Sequence, residues 1–280
     1  MERVALDGPM ARRASEPVSR MERPIMTQER RAAVYAAFWL YEVQDGFHRL
    51  PAAQQAESKR GFLSALEERD PSVTLRATYS LVGLRSEADL MLWVHGPDLD
   101  AIRELAVSLR HTGLGRYLNE AYTYVGATSA PRYDPDHQPA FALGAPPRKY
   151  ASVYPFVKTT EWYLLGREER GRLMAEHGMV GRGYAVPRAN LVAAADAANE
   201  GSTTAVLTET EQGGGVLSNT VDAFGLGDYE FILANESDDP AELSSMMMAL
   251  RATEVRRYTS LDVPIFLGRL REPAEALDDL

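Results

Sequence analysis

The sequence predicts an α+β fold in which one unit occurs twice. The unit has the order strand, helix, two strands, helix, strand, and its signals recur in both halves of the 280 residues. One stretch also matches itself across the halves. GLRSEADLMLWVHGPDLDAIRELAVSLRHTGLGRY, from Gly83, aligns with GLGDYEFILANESDDPAELSSMMMALRATEVRRY, from Gly225. Arg110 falls on Arg251, Arg116 on Arg257 and Tyr117 on Tyr258, each 141 residues apart. Such a unit is a ferredoxin-like half with one bare sheet face, and pairing two halves within one chain buries both faces.

The elements follow in order. Ala32–Val43, aromatic and small-apolar, reads as a buried strand. Pro51 opens a helix running to Glu68, with Phe62, Leu63 and Leu66 on one face. Val73–Val82 alternates as a strand, Gly83–Glu87 turns, and Ala88–Val94 returns. Pro97–His111 is an amphipathic helix with Ile102, Leu105 and Leu109 at helical spacing. Ala121–Ala127 closes the first half. In the second half, Tyr150–Lys158 is a strand and Thr160–His177 a helix, with Thr159 or Thr160 as cap and Gly178 placed to end it. Thr220–Phe224 and Tyr229–Ala234 are strands joined by a Gly-Leu-Gly-Asp turn. Pro240–Thr253 is a helix and Val263–Leu267 the last strand.

The boundaries divide the chain into a disordered tail over residues 1–27, an N-terminal half over 28–147 and a C-terminal half over 148–280. The tail is rich in Arg, Pro and Glu and has no periodicity. Ala193–Gly215, biased to Ala, Thr, Glu and Gly, reads as a flexible insertion.

Composition excludes several function classes. Lys and Arg number 30 against 40 Asp and Glu, a net charge of −10. An acidic chain is a poor nucleic-acid binder, because phosphate contacts need a basic surface. No apolar run has the length of a membrane span and no secretory signal opens the chain, so the expected compartment is the cytoplasm. Cys is absent, which removes disulfides, thiolate catalysis and Cys-ligated metal.

The five histidines are His48, His95, His111, His137 and His177. No pair has zinc-site spacing. A single His is enough to ligate haem iron, the simplest iron site for a chain without Cys. His177, in RLMAEHGM near a helix end, is either such a ligand or a charge complementing the helix dipole. His137, in the loop YDPDHQPAF, is either a general base or a surface residue. Tyr154 and Lys158 share a strand face, which suits either packing or an anionic, redox-active substrate. Arg251, Arg256 and Arg257 at a helix end either bind carboxylates or stay solvated.

Taken together, HQPAF, YASVYPFVKTTEWYLL, EERGRLMAEHGM, FGLGDYEFILANE, MALRATEVRRY and VPIFLGR resemble the actinobacterial branch of the coproheme decarboxylases, in the chlorite-dismutase-like superfamily. The resemblance spans residues 30–270 except for the insertion. It implies a dimeric α+β barrel, commonly assembled into pentamers, and conversion of iron coproporphyrin III to haem b by hydrogen peroxide. It places His177 as the proximal iron ligand, Tyr154 as the radical-forming tyrosine and His137 as the distal base. Lys158 and Arg251 fall on positions that contact propionates. The distal position that is Arg in chlorite dismutases matches either Arg188-Ala189-Asn190 or the stretch Leu217–Thr220. Counting back from Asp228 favours the second and puts Ser218 there, against chlorite decomposition. A haem-binding or haem-transfer protein without decarboxylase activity is the alternative, and an α+β barrel without porphyrin a third reading.

Overall fold

The computed structural model describes residues 33–128, 138–187, 190–191 and 215–280. The tail over 1–27, His137, Arg188 and all but the last residue of the expected insertion lie outside the described residues. The first half runs β1 (Tyr35–Val43), α1 (Asp45–His48), α2 (Ala52–Glu67), β2 (Thr74–Ser80), β3 (Leu90–Gly96), α3 (Leu99–His111) and β4 (Leu118–Ala127). The second runs β5 (Tyr150–Lys158), α4 (Thr160–Leu164), α5 (Arg167–Arg182), β6 (Leu217–Asp222), β7 (Phe231–Ser237), α6 (Pro240–Arg251), β8 (Thr259–Leu261), β9 (Phe266–Arg271) and α7 (Pro273–Asp278).

The repeat keeps a fixed spacing within each of two blocks. The elements β1, α1 and α2 recur 115 residues later as β5, α4 and α5, while β3 recurs 141 residues later as β7. The difference between the two spacings falls between α5 and β6, where the insertion is expected. Local chemistry repeats too. Asp98 caps α3 by accepting from the Asp100 amide, and Asp239 caps α6 from the Ala241 amide. Gly83 and Gly225 take φ of 76° and 71° in the two β-hairpin turns, a conformation open to glycine at little cost.

The sheet has nine strands in the order β7-β6-β4-β1-β3-β2-β9-β5-β8, and β7 pairs again with β5. That second pairing closes the sheet into a barrel and leaves β8 as an appendage on β5. The halves meet at two seams: β2 pairs with β9 over Thr78–Ser80, and the other seam is narrower, a single pair joining β4 to β6 at Ala127 and Asp222. Gly126 permits this approach, since a Cβ there would stand 2.5 Å from Val221 Cγ2. Alternate residues of every strand point inward. Phe38, Met91, Trp93, Val153, Ile232 and Phe266 belong to this interior cluster.

One ion pair crosses the interior. Arg76 of β2 donates to Glu236 of β7 at 2.6 Å, with side chains 5% and 0% exposed. Glu236 also accepts from the Tyr79 hydroxyl at 2.7 Å and the Asn219 amide at 3.0 Å. The Arg76 guanidinium lies 4.7 Å from the Trp93 ring and donates to the Ala145 carbonyl. Burial, and then the Arg76 charge, push the nearby His95 imidazole down to about 4, so it is neutral at pH 7.

Several boundaries differ from expectation. The helix expected over Thr160–His177 is two helices, broken at Leu165–Gly166, and the second runs past Gly178 to Arg182. A glycine ends a helix when the backbone turns left-handed there; Gly178 does not take a positive φ and stays within the helix. The last long strand begins at Phe266, because Pro264 has no N–H to pair. The strands expected at Thr220–Phe224 and Tyr229–Ala234 are observed at Leu217–Asp222 and Phe231–Ser237. The elements β8 and α7 carry no strong periodic signal. Among the described residues, no helix is long and apolar enough to cross a membrane.

Removing one member of a buried pair strands the other charge, at about 3–5 kcal/mol. Arg76→Met is therefore expected to lower unfolding free energy by about that amount. Arg76→Met with Glu236→Leu is expected to recover most of it, as read by urea denaturation of the three proteins.

Candidate active site

The repeat locates the site. In the first half the outer sheet face and its helices form one continuous apolar layer, which includes Trp39, Leu92, Val94, Phe62, Leu66 and Leu105. The second half replaces this layer at key positions. Trp39 pairs with Leu92, and its counterpart Tyr154 pairs with Leu233. Ala37 opposite Val94 becomes Ser152 opposite Asn235. On the helix, the buried Phe62 and Leu66 of α2 become His177 and Gly181 of α5, at the 115-residue spacing. The apolar layer accordingly splits into two clusters, one around Trp162, Leu173 and Val255, the other around Val216, Leu243 and Met246. Polar and small side chains stand where a filled core would otherwise be.

His177 is half-buried, one turn after the fully buried Leu173 and one turn before Gly181. A Cβ on Gly181 would lie 3.8 Å from Leu250 of α6, so this face of α5 turns toward α6. Residues four apart share a helix face, and His177 therefore faces the same layer.

Tyr154 is 3% exposed. Its hydroxyl oxygen accepts from the Asn235 side-chain amide at 3.4 Å. Burial pushes the phenol up to about 12; the Asn235 bond opposes this, Asp262 adds to it and Arg251 opposes it. The phenol is neutral throughout the physiological range. Ser218 of β6 pairs with Asn235, which pairs in turn with Ser152 of β5. A polar row thus crosses three strands beside Tyr154.

Lys158 ends β5. Its ammonium lies 4.5 Å from the Trp162 ring and 5.0 Å from the Phe156 ring. Burial pulls it down to about 8, against the attraction of Glu230. Its backbone N–H donates to Glu230 at 2.7 Å. Arg251, at the end of α6, donates through Nε and Nη2 to Asp262 Oδ2 at 3.2 and 2.8 Å. Arg256 donates to the same oxygen at 2.6 Å. Asp262 is 8% exposed, so one buried carboxylate anchors two guanidiniums.

Of the expected site residues, Tyr154 and Ser218 share the polar patch. Arg251 is close enough to influence the Tyr154 phenol, and His177 faces the layer from α5. Lys158 lies further along β5, against Trp162, and His137 falls outside the described residues. Two residues escape sequence reasoning. Asn235 sits in the apolar strand FILANES, and a buried amide there is a signal only once its register against Val94 is known. Asp262 lies in a short loop; its partners Arg251 and Arg256 are near in sequence, but no motif spacing marks the trio.

Comparison with known proteins gives a consistent answer. The chlorite dismutase family model matches residues 52–197 and 208–271. A coproheme decarboxylase of Mycolicibacterium smegmatis is 34% identical over 235 residues, covering 84% of this chain and 88% of that protein. The chain belongs to the chlorite dismutase family. A coproheme decarboxylase of Staphylococcus carnosus is 32% identical over 124 residues, 39% of this chain and 49% of that protein. A chlorite dismutase of Candidatus Nitrospira defluvii, solved with imidazole, superposes with a TM-score of 0.70 at 23% identity. The superposition covers 88% of this chain and 94% of that one, and supports the doubled ferredoxin-like fold.

The residues present fit an iron porphyrin, a flat apolar ring with carboxylates at its edge. The face of the second half carries Tyr154, His177 and Gly181 where the first half has Trp39, Phe62 and Leu66. His177 supplies a nitrogen ligand, and Arg251, Arg256 and Lys158 supply cations for the edge. If this face is the family's ligand site, making it resemble the first half should close it. His177→Phe with Gly181→Leu is expected to leave the far-ultraviolet circular dichroism unchanged and to abolish the shift and sharpening of the Soret band on titration with iron porphyrin.

Proposed function

We infer that the chain is a coproheme decarboxylase, acting late in haem biosynthesis. The observation that carries this reading is its 34% identity, over most of both chains, to a protein of that name. The buried Tyr154 supplies a physical basis for the reaction. Iron coproporphyrin III carries four propionates, two of which become vinyl groups in haem b. Each conversion releases one CO2, one proton and two electrons. Hydrogen peroxide is the proposed oxidant, taking up two electrons and two protons to give two waters.

Tyr154 enters each cycle as a neutral phenol, because burial holds its pKa at about 12. Once peroxide has oxidised the iron porphyrin, the phenol gives up an electron and a proton. The phenoxyl oxygen then takes a hydrogen atom from a propionate methylene: a C–H bond breaks and the O–H bond re-forms. The carbon radical passes one electron to the oxidised porphyrin, CO2 leaves and a vinyl group remains. In this reading His177 ligates the iron, and His137 takes a proton from peroxide before its O–O bond breaks. Lys158 and Arg251 hold carboxylates so that the reacting methylene faces Tyr154. Ser218 lies at the distal edge, where it leaves no guanidinium for chlorite. We further propose a homo-oligomer, a pentamer, located in the cytoplasm.

Stepwise peroxide addition to the complex with iron coproporphyrin III is expected to give two successive CO2 losses by mass spectrometry. Tyr154→Phe is expected to retain binding and lose both. Tight binding with no mass loss in the unaltered chain would instead indicate haem binding or transfer.

Lys158 adds a pH dependence with a definite sign. Below about pH 8 its ammonium is charged in the free protein and attracts a carboxylate; above that pH it is neutral. A bound carboxylate raises the Lys158 pKa, so binding takes up a proton above pH 8. The Kd for iron coproporphyrin III is expected to rise about tenfold per pH unit there. Lys158→Met should flatten that rise in a spectrophotometric titration.

A further inference from the structure

We propose that Asn235 is a positioning residue for Tyr154, and that its side-chain amide fixes the phenol oxygen and directs the phenol proton off the sheet toward the substrate. This inference rests on the decarboxylase reading and assigns a role to a residue outside the set named above.

Three observations carry it. The first is cost. Asn235 is 3% exposed in β7. Asn is disfavoured in strands, and a buried amide without a partner is expensive. The first half shows that the architecture does not require it, for the counterpart position is Val94, packed beside Trp39. A polar side chain therefore stands where the same fold accepts an apolar one.

The second is the direction of the hydrogen bond. Asn235 Nδ2 donates and the Tyr154 oxygen accepts. A side-chain NH2 is a donor only. The phenol proton consequently cannot lie along this contact. Among the described residues, the Tyr154 hydroxyl donates to no acceptor. Held from the β7 side, the oxygen can present its proton only away from Asn235.

The third is what the reaction asks of this oxygen. It must lose a proton with its electron and then receive a hydrogen atom from the substrate carbon. A carboxylate or imidazole beside it would compete for that proton. An amide N–H cannot accept it and can stay hydrogen-bonded to the oxygen as phenol and as phenoxyl. Asn235 thus holds the oxygen without entering the proton inventory.

The test compares the unaltered chain with Asn235→Val, the residue of the first half, and with Asn235→Asp, which keeps the shape but presents an acceptor to the phenol. Each is titrated with iron coproporphyrin III and then turned over with peroxide. If Asn235 positions Tyr154, both variants bind with unchanged Kd, and kcat falls about 10–100-fold, the scale of a misplaced reacting group. A second readout separates positioning from loss of structure. Electron–nuclear double resonance of the peroxide-generated tyrosyl radical should show an exchangeable proton, that of the Asn235 amide, hydrogen-bonded to the phenoxyl oxygen. That coupling should vanish in Asn235→Val. Unchanged kcat, or an exchangeable-proton coupling that persists in Asn235→Val, overturns the role of Asn235 and leaves the decarboxylase reading standing. Absence of CO2 loss in the unaltered chain overturns the decarboxylase reading and this inference with it.

Discussion

Each ferredoxin-like half has a sheet with two faces and helices enough to cover one. The bare face cannot remain in water, and the rest of the molecule follows from that constraint. The two bare faces meet and the strands close into a barrel, with Phe38, Trp93, Val153 and Phe266 packed inside. Within this apolar interior lies the Arg76–Glu236 pair, one partner from each half. A buried ion pair contributes little net stability but is costly to break. Its geometry is demanding: Tyr79 and Asn219 satisfy the remaining oxygen positions of Glu236. A slip of β7 by one residue would turn Glu236 outward and Asn235 inward. The pair therefore locks the register that places Asn235 beside Tyr154.

Closing the barrel frees the outer faces to diverge. One copy keeps a filled layer between sheet and helices, and the other gives up Trp39, Phe62, Leu66 and Val94 for Tyr154, His177, Gly181 and Asn235. The first copy supplies apolar burial; the second forgoes it in exchange for a site. Large side chains deleted from a core leave cavities that cost stability in proportion to their volume. A bound porphyrin would restore that lost contact, so ligand binding and folding of the second half are linked.

The doubled fold was legible because apolar periodicity and the 141-residue self-match both survive in the sequence. Tyr154 and His177 were singled out mainly through the family resemblance, since spacing alone left each with an ordinary structural reading. The break between α4 and α5 was not read from the sequence: Gly166 and Gly178 offer the same stop signal, neither takes a left-handed φ, and only Gly166 stands at a break. Asn235 and Asp262 were hidden for a different reason. The role of Asn235 depends on register against a distant strand, and that of Asp262 on how a loop folds back onto Arg251 and Arg256; neither leaves a local pattern.

If the proposed function holds, an acidic chain must receive an anionic substrate, and the electrostatics around Tyr154 allow it. A net charge of −10 repels carboxylates at long range, but screening limits that field to about 8 Å at physiological salt. Close to the site the balance differs. Asp262 is nearly enclosed, while the Arg251 and Arg256 side chains are 40% and 38% exposed. The carboxylate is thus committed to holding the guanidiniums, and they face outward. Arg251 uses Nε and Nη2 on Asp262; among the described residues its Nη1 makes no hydrogen bond. An incoming carboxylate can be added to the pair without displacing Asp262. Anchoring also removes freedom that a long side chain would otherwise lose on binding. Asp262 therefore preorganises the cationic edge, and its charge adds to the burial that keeps Tyr154 a neutral phenol.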